Sequence, residues 1–126
     1  MISFKISYIN NFTANVQKRR VSNMGKQKSP KHLDEAFEQV AAELLATFLK
    51  KHTDYGKGNI ISIKELGIAF RISEKAERLK NLLMTDNLPQ NESIDDSWTD
   101  IGVYAIIGIL YRRGWFEKLE VSEYNK

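Results

Sequence analysis

Three sets of residues have the types and spacing to act on a phosphate. Glu92, Asp96 and Asp100 recur every four residues, so on a helix they share one face. Carboxylates placed in this way can hold Mg²⁺ through oxygen ligands, and the metal can bridge to phosphates. Acids at a helix start also stabilise the helix dipole without any ligand, and Asp95 and Asp96 fit that role. Asp100 lies past the first turn and directly precedes an apolar run, a position the dipole does not explain. Arg71, Lys75 and Arg78 are spaced by four and three and form a row of cations suited to clamping a polyphosphate. The alternative is a solvated face on which Glu74 supports Arg78 as an i, i+4 pair. The third set is the run from His52 to Asn59, His-Thr-Asp-Tyr-Gly-Lys-Gly-Asn. Its glycines let backbone N–H groups approach an anion, Lys57 adds charge, and Tyr55 can stack on a base. The plainer alternative is a helix–helix loop with Gly56 as the cap.

Several other chemistries are excluded or unsupported. With no cysteine there is no thiolate metal site, no cysteine nucleophile and no disulfide framework. The Gly-x-Gly at Gly56–Gly58 lacks the Gly-Lys-Ser/Thr ending of a Walker loop. His32 and His52 fall at opposite ends of one predicted helix, so they make no metal pair, and no Ser–His–Asp arrangement is present.

The elements that must position these residues read as helices. Ser29 and Pro30 suit the N-cap and first position of a first helix. Leu33, Phe37, Val40, Ala41, Leu44, Leu45, Phe48 and Leu49 continue it as one apolar stripe, and Gly56 stops it. A second helix starts on a capping box, Ser62 with Glu65, with Leu66, Ala69, Ile72, Ala76, Leu79 and Leu83 as its buried face. Thr85 to Asn91 is a connector. A third helix starts near Ser93, with Asp96 three residues on, and ends at Gly114. Its middle, Ile101 to Leu110, is apolar on all sides, which predicts the central helix. Gly102, Ala105 and Gly108 are expected on one ridge against a closely packed neighbour, because glycine costs a helix roughly 1 kcal/mol per site. Trp115 and Phe116 are expected to fold back onto the bundle, ahead of a short polar tail. The predicted fold is all-α, a compact bundle of three main helices. So few helices leave an all-apolar central helix short of cover, and a homodimer or higher oligomer would supply it.

The chain of 126 residues, 42% hydrophobic and 28% charged, is sized for one domain. Its net charge of +3 misleads. Residues 1–33 hold Lys5, Lys18, Arg19, Arg20, Lys26, Lys28 and Lys31 and no acid, so 34–126 keep 12 of the 19 basic residues against all 16 acidic ones, a net of −4. The basicity belongs to the tail, which speaks against duplex DNA binding by the domain. Residues 1–28 form a basic appendage. It is either a disordered leader, with Met24 as an alternative start, or a short hairpin of Ile2–Tyr8 and Phe12–Val16 around Asn10-Asn11. Residues 29–126 form the helical domain. The longest apolar run falls well short of a membrane span, and no signal peptide stands at the start. A cytoplasmic location is therefore expected.

The blocks Lys51-His52-Thr53-Asp54-Tyr55-Gly56, then Arg71, Lys75, Arg78 and Leu79, then Asn91-Glu92-Ser93 with Asp96, Asp100 and Tyr104, resemble the first nucleotide-modification-associated domain family of bacteriophages and bacteria. The likeness spans about residues 33–116. It implies a nucleotide-handling domain, in the host cytoplasm if phage-encoded. A weaker similarity connects the acid-bearing helices to the all-α nucleoside triphosphate pyrophosphatases of the MazG and dimeric dUTPase kind, which use Mg²⁺ and a dimeric bundle. The sequence departs from these enzymes in lacking a clear Glu-x-x-Glu pair on its second helix. Glu74 and Glu77 have that spacing but are interleaved with cations. The resulting expectation is a nucleotide site in which Lys51, Lys57, Arg71, Lys75 and Arg78 neutralise phosphate. Tyr55 and Asn59, in the loop that starts at Asp54, contact base or sugar. Glu92, Asp96 and Asp100 hold Mg²⁺ or orient the cations. Two further functions stay open: a Mg²⁺-dependent triphosphate pyrophosphatase, and a phage protein that sequesters a nucleotide immune signal.

Overall fold

A computed structural model of the chain describes residues 29–85 and 94–125. The hairpin of Ile2–Tyr8 and Phe12–Val16, Glu92 and the Ser93 cap lie outside them. The described residues are mostly helical, without strands. Helix α1 spans Leu33–Tyr55, α2 Gly58–Thr85, α3 Ile94–Arg112 and α4 Trp115–Lys118, followed by a 3-10 turn at Glu123–Asn125. Two compact units divide within α1, Met1–Ala41 and Ala42–Lys126.

The helix ends follow local rules. The backbone N–H of Lys31 donates to Glu35 Oε2 at 3.3 Å, and Ala36 N–H closes the first turn on His32 O at 3.0 Å. The start therefore lies at Leu33, and Ser29 and Pro30 precede it. At the other end Gly56, with φ 66°, donates its N–H to His52 O at 2.8 Å. A left-handed residue after the last turn ends the helix by satisfying a terminal carbonyl, and glycine adopts it without steric cost. The predicted loop from His52 to Asn59 thus shrinks to Gly56 and Lys57, because helical hydrogen bonding runs on to Tyr55.

Helix α2 departs furthest from the sequence reading. It kinks at Lys64, whose φ of 60° and ψ of −174° lie in a region that non-glycine residues enter at about 1–3 kcal/mol. The kink brings Ile63 back over Gly67, where any Cβ would collide with the Ile63 side chain. The Ser62–Glu65 capping box does not form. Ser62 Oγ donates to Asn59 O at 3.0 Å, and Glu65 Oε1 accepts from Arg112 Nε at 2.9 Å. The buried face is also rotated from the predicted one. Ile72 and Leu79 of the predicted face turn inward, joined by Ile68 at 2% exposed, while Leu66 and Leu83 are exposed, as are Ala69 and Ala76.

The core of the second unit joins Ile60 and Ile68 of α2 to Val103 and Ile107 of α3 and Phe116 of α4, flanked by Leu44 and Phe48 of α1. Helix α3 is central to it, though one side stays open, with Trp98, Ile106 and Ile109 exposed. The two glycines do not share a ridge. A Cβ at Gly102 would meet Leu44 of α1 at 3.0 Å and one at Gly108 would meet Ile68 of α2 at 3.7 Å, while Ala105 is exposed. Six residues turn a helix by about 240°, so the glycines serve different neighbours. The α1 stripe is likewise half used. Leu44 and Phe48 pack, but Leu33 is 88% and Phe37 69% exposed. Phe116 is buried as expected, whereas Trp115 is exposed, with the Arg113 guanidinium 4.9 Å from its ring centre.

Candidate functional site

Three charged residues take the place of apolar ones in the packed stripes of three helices. On α1, Leu44, Phe48, Lys51 and Tyr55 follow at helical spacing; on α2, Ile68, Ile72, Lys75 and Leu79; on α3, Asp100, Val103, Tyr104 and Ile107. Their side chains meet. Lys51 Nζ donates to Asp100 Oδ1 at 2.6 Å, and Lys75 Nζ lies 3.0 Å from Oδ2. The Asp100 side chain is 16% exposed, Lys75 29% and Lys51 45%. One carboxylate therefore ties together helices far apart in sequence. Burial alone pushes the Asp100 carboxyl up. Hydrogen bonds from Lys51 and Lys75, with the charges of both, outweigh it and hold the carboxyl below its ordinary value of 3.8.

The triad forms part of the wall of a cleft of about 330 Å³, near the lower end of the roughly 300–1,000 Å³ of small-molecule sites. Apolar and aromatic walls come from Phe48, Tyr104 and Phe116, and Tyr55 and Asn59 also line it. His52 lines it as well, its ring stacked on Phe48 at 5.5 Å. His52 Nδ1 is buried without a hydrogen-bond partner among the described residues, a state that costs about 1–3 kcal/mol. The cleft thus combines a preorganised pair of cations, aromatic surface and an unsatisfied polar atom. Such a site suits a planar, anionic ligand.

Of the predicted site residues, Lys51, Tyr55, Asn59, Lys75 and Asp100 come together here. The other described ones do not line it. Lys57 is spent on the C-terminal segment. Its Nζ donates to Leu119 O at 2.6 Å, Glu120 Oε1 at 2.9 Å and Glu117 O at 3.1 Å. Arg71 is exposed, 3.8 Å from Glu74. Arg78 lines a wider groove of about 650 Å³, whose described lining residues all belong to α2. Asp54 and Asp96 are exposed, and Glu92 lies outside the described residues. Among the described residues no three His, Asp or Glu side chains cluster as a metal site. Both Asp100 oxygens face ammonium groups, Oδ1 that of Lys51 at 2.6 Å and Oδ2 that of Lys75 at 3.0 Å. Asp100 orients Lys51 and Lys75, and neither Arg71 nor Arg78.

Sequence reasoning undervalued His52, Phe48, Tyr104 and Phe116 as parts of the cleft wall. The signal for the triad was available: a charge in phase with an apolar stripe. On α2 Lys75 falls between Ile72 and Leu79 of the predicted stripe, but the row Arg71, Lys75 and Arg78 read as a separate cationic face. No helix among the described residues is long and apolar enough to cross a membrane. The chain matches no protein-family model, no curated protein and no solved structure.

Proposed function

We propose that the cleft binds a nucleoside phosphate, with Lys51 and Lys75 taking the phosphate and the aromatic wall taking the base. The observation that carries this reading is the Asp100 carboxylate holding two lysine ammonium groups at a small aromatic cleft. Two cations fixed by a shared carboxylate lose little further side-chain freedom when an anion arrives, so more of the attraction appears as affinity. The sequence resemblance to a nucleotide-handling family points the same way.

Binding is favoured over hydrolysis. A carboxylate with both oxygens at ammonium groups is a poor general base, since its proton affinity is lowered. The pyrophosphatase alternative requires Asp100 to exchange its lysines for a metal shared with Asp96 and Glu92. Sequestration of a nucleotide signal is the form of the proposal in which the ligand is returned intact. Self-association is part of the same reading, supported by the exposed Trp98, Ile106 and Ile109 on α3.

Isothermal titration with a panel of nucleotides tests the proposal on the wild type and on Lys75→Ala. The wild type is expected to bind at least one nucleotide, and the variant to lose well over tenfold in affinity, as when one partner of a buried charge pair is removed. Equal affinity of both proteins for every ligand would remove the triad from the site.

A further inference from the structure

Resting on the self-association in the reading above, we infer that the open side of α3 binds the antiparallel α3 of a second copy, with Asp95 of each chain beside the partner's Arg113. Successive residues turn a helix by about 100°, so Trp98, Ala105 and Ile109 fall within about 40° of one another on α3. All three are exposed, Trp98 by 57% and Ile109 by 52%. They form an apolar strip with a small residue between two large ones, and a small residue at a contact lets a second helix axis come close.

Charge decides what covers the strip. Asp95 stands in the first turn of α3. Arg113 directly follows its last residue, with the N–H closed on Ile109 O at 3.1 Å. Both are exposed. They lie about five full turns apart, so they share one edge of the strip. The face is acidic at one end, basic at the other and apolar between. Such a face is its own complement when turned end for end, and a two-fold dimer requires that: if residue i touches j, then j touches i. Antiparallel helices bring the same edge of each together, so the Asp95–Arg113 contact forms twice. A parallel pair would set acid against acid and cation against cation, and would align the helix dipoles instead of opposing them. The register agrees with the charges. Position 104 is midway between Asp95 and Arg113, and the midpoint of Trp98 and Ile109 falls beside it. One alignment therefore pairs the charges and the apolar ends together. Asp100, Val103, Tyr104 and Ile107, the α3 part of the cleft wall, point to the opposite side of the helix, so pairing leaves both clefts open.

The test is sedimentation velocity of the full chain across micromolar concentrations, on the wild type, Asp95→Lys, Arg113→Glu and the double variant. The wild type is expected to dimerise, and less so at high salt. Each single change turns two attractions into repulsions and should weaken the dimer by about tenfold. The double variant exchanges the two charges and should restore the wild-type dimer. Circular dichroism melts would confirm that the variants fold. A dimer that neither single change weakens, or that the double variant does not restore, would overturn the antiparallel α3 pair and leave self-association standing. A wild type that stays monomeric throughout would overturn self-association and this inference with it. In both cases the cleft and its ligand are judged separately, by the nucleotide titration above.

Discussion

Replacing Asp100 by asparagine keeps the side-chain shape and removes the charge that two lysines share. A hydrogen bond involving an ionised group contributes about 1.5–3 kcal/mol. The Lys75 bond, with Lys75 29% exposed, is entitled to the lower part of that range. The Lys51 bond, with Lys51 45% exposed, is screened to about 1 kcal/mol or less. Asparagine can still accept one bond, so Asp100→Asn should cost about 2 kcal/mol at pH 7, or on the order of 10 °C in Tm for a domain of this size. The pH dependence is more telling. The folded carboxyl sits below its ordinary value of 3.8, so protons bind more tightly to the unfolded chain. The stability this supplies is fully present above about pH 4, and is lost as pH falls from there through the folded pKa. Melting curves of wild type and variant should therefore lie well apart at pH 7 and converge in acid. Equal Tm values at pH 7, or a gap that persists unchanged in acid, would refute the account of the triad.

Other perturbations probe other links. Lys57→Met removes the donor that holds Glu117 O, Leu119 O and Glu120, and should speed amide hydrogen exchange across residues 117–125 and lower stability by about 1–2 kcal/mol. Lys64→Gly relieves the positive φ at the α2 kink, and should leave stability unchanged or raise it by about 1 kcal/mol in urea titration; a loss above 1 kcal/mol would contradict the strain. Gly108→Leu must find room beside Ile68, and should destabilise by about 1–3 kcal/mol through overpacking. Ile109→Lys, on the exposed side of α3, should shift light scattering toward the monomer with little change in the fold, and a wild type that is already monomeric at micromolar concentration would count against self-association.

Some of this was legible in the residues because it depends on near neighbours. Three main helices, the stop at Gly56 and the C-cap at Gly114 follow from apolar spacing and from glycine's access to left-handed backbone, both decided within a few positions. The start of α1 was misplaced by three residues because Glu35, a residue inside the helix, captures the Lys31 N–H. The buried phase of α2 was not legible, because apolar residues lie on two of its faces. The predicted face ran through Leu66, Ala69, Ile72, Ala76, Leu79 and Leu83, whereas the residues that pack are Ile68, Ile72 and Leu79, and the Lys64 kink breaks the single period that pattern reading assumes. Only the surface offered by α3 chooses between the two faces, through Val103, Ile107 and Gly108.

The candidate site divides along the same line. The sequence by itself determined which groups were available: Lys51, Lys75 and Asp100 as charges at helical spacing, with Tyr55 and Asn59 beside a glycine turn. It also determined that no thiol chemistry was possible. Tertiary structure alone decided that Asp100 meets Lys51, 49 residues away, and Lys75 rather than Arg71 or Arg78. It likewise decided that Lys57 serves the C-terminal segment. The physical reason is that a charge pair at such separation has no local signature. It forms because packing of apolar stripes brings three helix faces to one place, and a charge buried there must find its opposite.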